Sequence, residues 1–334
     1  MIVQSPAPQE MTIMTRLLPI CALAGMLLSG AYPAAAQPAS PEAVKEFKEK
    51  LKAGSEQFQA RVEEAARQID NHPRLKGLSQ PQRKDLVEFV TGNMLFALLH
   101  EMGHAHIQEM GLPVLGREED AADAYAVIAL LRVGTDVSQN ILTQAAKGWF
   151  LSDARNQKEG YALAFYDEHG LDRQRAYQIV CLMVGSDPDK FSDLADQVKM
   201  PEDRQGTCQG DYSNASWSWQ LVLKPHLRAP DQPKQKISVT YGPAGEYAVI
   251  AQALRTIGMM EMLANYAAER FVWRRPIGFD VQSCGQPDLH WDLSVQKILV
   301  CYEMAQEFAQ LYRGYGQTYA MGPDKAAKMK TKKK

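Results

Sequence analysis

A dominant charge is absent from this 334-residue sequence: 37 lysines and arginines meet 39 aspartates and glutamates, for a net charge of −2. No global field draws the chain to nucleic acid or to acidic lipid, so neither partner is expected. Charged residues still make up 23%, too many for a protein that crosses a membrane repeatedly, while 46% hydrophobic residues are too many for a disordered chain. There is no glycine-rich phosphate loop, no internal repeat and no CxxC pair. A nucleotide cradle, a solenoid, a zinc ribbon and a dithiol redox site are thereby set aside.

Long apolar runs are scarce too, and the one present lies near the start. Arg16 precedes LLPICALAGMLLSGAY, which runs into Pro33-Ala-Ala-Ala36-Gln37. A basic residue, an apolar stretch of this length and an A-x-A ending describe a secretory signal over residues 1–36, cleaved after Ala36. Pro19, Gly25, Gly30 and Pro33 disfavour the competing reading, an uncleaved anchor. The expected location is periplasmic or secreted, with no membrane span after cleavage. Cys21 leaves with the signal, and an oxidising compartment makes disulfides of Cys181, Cys208, Cys284 and Cys301. Four cysteines allow three connectivities; nearest-neighbour pairing, Cys181–Cys208 and Cys284–Cys301, keeps each bridge within one region.

Apolar positions at Val44, Phe47, Leu51, Phe58, Val62, Ala65 and Ile69 recur at helical spacing, so 37–80 is an amphipathic helical segment broken at Asn71-His72-Pro73. A second helix is expected from Pro81 to Met110, stopped by Gly111, and a third from Arg117 to Gly134 after a short turn. Further helices fall around 137–155, 172–184 and 187–198, which makes 81–228 a helical core. Leu227–Gln235, with two prolines, reads as a linker. Region 236–316 is α+β: strands at 237–241, 276–283 and 297–301, a helix over 245–271 and a closing helix at 302–313. The fold class is mainly α, with a small C-terminal α+β part. Residues 317–334, with six lysines after Asp324, read as a solvated basic tail.

Chemistry concentrates in the second helix at His100-Glu101-Met102-Gly103-His104. Histidines at i and i+4 share a helical face and can bind one metal, and Glu101 can reach a water there without being a ligand. Gly103 marks close packing or a metal above it, because an interior helical glycine costs about 1 kcal/mol. The third helix opens Arg117-Glu118-Glu119-Asp120-Ala121-Ala122-Asp123 and must fold back beside the second. Glu119 is the expected third ligand, with Asp120 or Asp123 as alternatives. Asp123, one turn on, is expected to hold a ligand imidazole, whereas Glu118 and Asp120 are expected to point away and serve the helix dipole. Two imidazoles and a carboxylate favour Zn2+.

HExxH followed by E-x-x-x-D resembles the gluzincin metallopeptidases, especially the group with the CAAX prenyl proteases. His169-Gly-Leu-Asp-Arg-Gln-Arg175 resembles that group's H-P-x-x-x-x-R element, with Gly170 in place of proline. Residues 93–312 resemble a bacterial family of exported metallopeptidases without assigned substrates, through LLHEMGHAHIQEMGLPVLGREEDAAD, HGLDRQRAYQIVCLMVGSDP, Cys284-Gly and Cys301-Tyr-Glu303. The chain departs from it at Cys-Gly-Gln-Pro-Asp-Leu-His-Trp, where the family tends toward Cys-Gly-x-x-Asn-Ala-Phe-Tyr. The resemblance implies a zincin-like helical core and hydrolysis of a peptide or protein substrate, with Glu101 as base. It also implies that His169 stabilises the oxyanion and is held by Arg175 or Asp172. Two alternatives stand beside it: a zinc amidase acting on cell-wall peptides, and a binding or assembly protein with an idle zinc site. His106, two positions past His104, lies on another face and is not expected to ligate, and Glu303 reads as structural.

Overall fold

Helix α2, Gln80–Met110, is buried on nearly every side from Leu86 to Ile107, and the other elements are arranged around it. Its ends follow from local chemistry. The Ser79 hydroxyl accepts from Gln82 N while the Gln82 side chain accepts from Ser79 N, and Gly111 stops the helix at φ 64°. A computed structural model describes residues 41–69 and 77–316. The signal-like segment 1–36, the Asn71-His72-Pro73 break and the basic tail lie outside them.

The described residues form ten α-helices and a four-stranded sheet. Helices α1 (Pro41–Gln68), α3 (Glu118–Val133) and α4 (Asp136–Glu159) pack directly on α2. Next come α5 (Asp172–Ser186), α6 (Pro188–Gln197) and α7 (Glu202–Leu223), the last clasped to α5 by the Cys181–Cys208 disulfide. Strand β1 (Ser238–Tyr241) leads through α8 (Ala248–Ile257) and α9 (Met259–Arg270) to β2 (Gly278–Gln282), β3 (Leu289–Asp292), β4 (Lys297–Cys301) and α10 (Tyr302–Leu311). No helix among the described residues is long and apolar enough to cross a membrane.

The sheet order is β1-β2-β4-β3, with β2 parallel to β1 and β4, and β3 antiparallel to β4 at one edge. Phe279, Val281, Ile298 and Val300 are buried in the same apolar cluster as Leu98, Met102 and Ala126, so sheet and helices share one core. The cysteines pair as nearest neighbours, Cys181–Cys208 and Cys284–Cys301.

Three local expectations are revised. The helix expected over 245–271 is two helices, because Gly258 takes φ 71° between them. Helix α7 was not anticipated, and neither was β3, which falls in the stretch that departs from the resembled family.

Candidate metal centre

Helix α3 approaches α2 closely because Gly103 lets it: a β-carbon there would stand 2.9 Å from Ala122 Cα. That contact, rather than room for an ion, explains the interior glycine. The turn 111–117 returns the chain at once, and the first turns of α3 lie across the two histidines.

His100 Nε2 and His104 Nε2 are 3.1 Å apart. Glu119 faces both, with Oε2 at 3.0 Å from His100 Nε2 and Oε1 at 3.3 Å from His104 Nε2. Each imidazole is held from behind by a carboxylate: His100 Nδ1 lies 2.7 Å from Asp123 Oδ1 and His104 Nδ1 lies 2.8 Å from Glu118 Oε1. A neutral ring that donates from Nδ1 presents a lone pair at Nε2. Two such lone pairs and a carboxylate then converge on one point, an arrangement that repels itself unless a cation sits there. Glu119 Oε2 is buried and without a well-directed hydrogen bond, as an oxygen reserved for an ion would be. The residues fit a divalent metal.

The same carboxylates also draw protons to the rings. Burial works against a charged His104, yet the bonds to Glu119 and Glu118 outweigh it and push the ring up to about 9. His100 moves up likewise, burial being outweighed by Asp123 and Glu119. Glu119 is driven far down despite its burial, because three imidazoles face it.

The third imidazole is His169, whose Nε2 stands 2.9 Å from Glu119 Oε2. Its orientation comes from Asp167, which accepts from the His169 backbone N–H at 2.9 Å and lies 3.1 Å from Nδ1. Arg175 or Asp172 was the expected support of His169, but neither is bonded to it. Arg175 is buried in a two-point bond to Asp123, at 2.7 and 2.6 Å, with its guanidinium 3.8 Å over the Trp149 ring. Asp172 accepts from Asn156. Glu118 is the other correction: it does not point away but braces His104. Asp120 pairs with Arg117 on the surface.

Glu101 lies beside this group, its Oε1 4.0 Å from His100 Nε2. Burial raises its carboxyl, against the pull of His100, His104 and the Trp291 N–H. That N–H donates to Glu101 Oε2 at 2.8 Å. The register explains why. Cys301 N donates to Asp288 O, so in the antiparallel alternation Trp291 occupies a position whose N–H faces away from β4. The Trp291 indole donates to Gln108 Oε1 at 3.1 Å, and Gln108 Nε2 donates to Glu118 Oε1 at 3.1 Å. The edge strand is thus fastened to the base and, through Gln108 and Glu118, to His104. Glu303 holds the connection that leads from β2 to β3, accepting from Ser283 Oγ and from the N–H groups of Cys284 and Gly285. Sequence reasoning missed Glu118, Gln108 and the Trp291 amide. Only Glu118 left a trace there, as a carboxylate on the turn facing the histidines.

His106 lies on the opposite side of the helix, in a core of Tyr125, Phe271 and Trp273 with ring centres at 4.9, 4.5 and 4.7 Å.

A protein-family model described as "Putative metallopeptidase" matches residues 56–223, which include α2, α3, α5 and His100, Glu101, His104, Glu118, Glu119, Asp123, His169 and Arg175, while Trp291 and Glu303 lie beyond it. No curated protein and no solved structure matches the chain.

Proposed function

The chain belongs to that metallopeptidase family, and on this premise we propose that it is an exported, zinc-dependent peptidase that uses Glu101 as its general base. The observation that carries the reading is the convergence of His100, His104 and Glu119 on one point, with Glu101 against it. These three residues would hold the ion, and Asp123 and Glu118 would keep both imidazoles in the tautomer a ligand needs. Zinc bound there supplies a Lewis acid that polarises the scissile carbonyl and eases deprotonation of water.

The protein's own groups do the rest. Glu101 accepts a proton from the attacking water and passes it to the leaving amine. Its burial favours this exchange by raising the carboxyl's affinity for a proton, and the Trp291 N–H fixes one oxygen while the other lies toward His100 Nε2. His169, anchored on Asp167, is placed to donate to the carbonyl oxygen as charge develops. Export is supported by the signal-like start and by the two disulfides.

Peptide profiling by mass spectrometry, with and without chelator, tests the activity. Glu101→Gln is expected to retain one zinc per chain and the parent's melting temperature while losing hydrolysis by at least 10²-fold. Parent-like cleavage by this variant would refute the mechanism. Release of cell-wall amides without cleavage of ordinary peptides would replace it with the amidase reading.

A further inference from the structure

The loop between α4 and α5 carries an unusual surface. Tyr161-Ala-Leu-Ala-Phe-Tyr166 has no charged side chain, and Leu163, Phe165 and Tyr166 are 53%, 79% and 92% exposed. The backbone beneath them is ordered. Tyr161 N donates to Asn156 O, Phe165 N to Leu163 O and Asp167 N to Ala164 O, so an ordered backbone holds them outward. Large apolar groups fixed in water at a rim of polar residues mark a surface that another molecule covers.

Its position identifies the occupant. The loop ends at His169, which touches Glu119, and Gly170 lies against Arg117: a β-carbon there would stand 3.6 Å from that guanidinium. Two residues before Arg117 is Leu115, which is fully exposed. The apolar stretch therefore runs along the chain into the mouth of the metal centre, beside the turn that carries Leu115. Asp167 and Glu168 follow the apolar stretch at once, Glu119 and Asp120 lie against its end, and Arg117 there is paired with Asp120. This negative surround repels anionic lipid headgroups and suits a neutral or basic peptide. Tyr166 and His169 are three positions apart, at most about 10 Å of chain, so contact would fall within about three substrate residues of the scissile bond.

We propose that the 161–169 loop, with Leu115, is the docking surface for an apolar segment of a peptide substrate, flanking the scissile bond. This rests on the peptidase reading above, and its test separates the two. Binding is measured on the full zinc-loaded chain carrying Glu101→Gln, so that no turnover is needed. The probes are two fluorescent dodecapeptides, one with leucine and phenylalanine at alternate positions, the other with serine in their place. The apolar peptide is expected to bind at least ten-fold more tightly. Adding Leu163→Ser, Phe165→Ser and Tyr166→Ser should remove that preference while zinc content and melting temperature hold. Equal binding of both peptides, or an apolar preference that survives the triple substitution, overturns the proposal. So would loop-dependent binding to vesicles of phosphatidylcholine and phosphatidylglycerol with no peptide preference, which would make the loop a membrane contact. A loop-dependent peptide preference in a parent chain that cleaves nothing would sustain the docking surface and refute the peptidase reading.

Discussion

His104 and His106 stand two positions apart on α2, and the protein pushes them in opposite directions. His104, facing Glu118 and Glu119, rises to about 9, whereas His106, enclosed by aromatic rings, falls to about 3. Both are largely buried, so burial alone does not separate them. What separates them is whether carboxylates oppose the desolvation that both suffer. His106 has only the Met102 carbonyl, 2.6 Å from Nδ1, and its Nε2 is buried without a partner. One face of α2 is built to gather positive charge and the other to refuse it. A metal centre needs both: a rigid apolar floor, and acceptors that compete for a cation above it.

The largest expected effect comes from breaking the apolar side with acid. Below the ordinary imidazole value of about 6.5, the unfolded chain takes up a proton that folded His106 refuses until about 3. Folding stability therefore falls as pH drops through that window, by up to about 5 kcal/mol for the full shift. His104 has the opposite sign in the chelated protein. Its extra stabilisation is complete below about 6.5 and is lost as pH rises through about 9. His106→Phe keeps the shape and removes the titration, so its melting temperature should fall less than the parent's between pH 6.5 and 4. Parallel pH profiles for the two proteins would show that His106 does not carry the acid sensitivity.

How far the sequence discloses this site depends on what kind of group is involved. The His100/His104 spacing, the Gly111 cap and the short return to α3 are local signals, and they lead to the observed helices and to Glu119 and Asp123. Glu118 is misread because helical-wheel geometry assumes side chains leave radially. The first residue of a helix has no preceding turn beneath it, and its side chain leans back toward the N-terminal side, here over His104. Helix α7 is hidden by composition: GTCQGDYSNASWSWQ has poor helix formers, and its order comes from packing on α5 and the Cys181–Cys208 bond. Strand β3 has only four residues and is defined by pairing with β4. The Trp291 N–H leaves no trace at all, since every residue but proline has one and register alone decides where it points.

The next effect compares the two carboxylates that brace the histidines. Asp123 is 9% exposed and shared between His100 and the buried Arg175, while Glu118 is 36% exposed and shared between His104 and Gln108. Removing Asp123 strands a guanidinium in the interior, so Asp123→Ala should cost about 3–5 kcal/mol in urea unfolding. It should also weaken zinc 10- to 100-fold in competition with a chelator. Adding Arg175→Met should restore part of the stability, because the stranded charge goes with it, but none of the zinc affinity. If the double variant regains zinc as well, Asp123 acts by neutralising Arg175 rather than by holding His100.

Glu118→Ala is the smaller and sharper break. It removes a ring acceptor that stands partly in water and strands no buried charge, since Gln108 can turn to solvent. Zinc affinity should fall by about ten-fold, equivalent to about 1.4 kcal/mol. The stability of the chelated protein should change by less than about 1 kcal/mol, because solvent screens the pair. The two substitutions should also differ in their response to salt. Between 0.05 and 0.5 M sodium chloride the Glu118 contribution shrinks, while that of Asp123 persists in its low-dielectric setting. Zinc titrations of parent and both variants across that range decide the matter. A Glu118 effect as large and as salt-resistant as that of Asp123 would mean the two braces are equivalent, and that exposure does not set their strength.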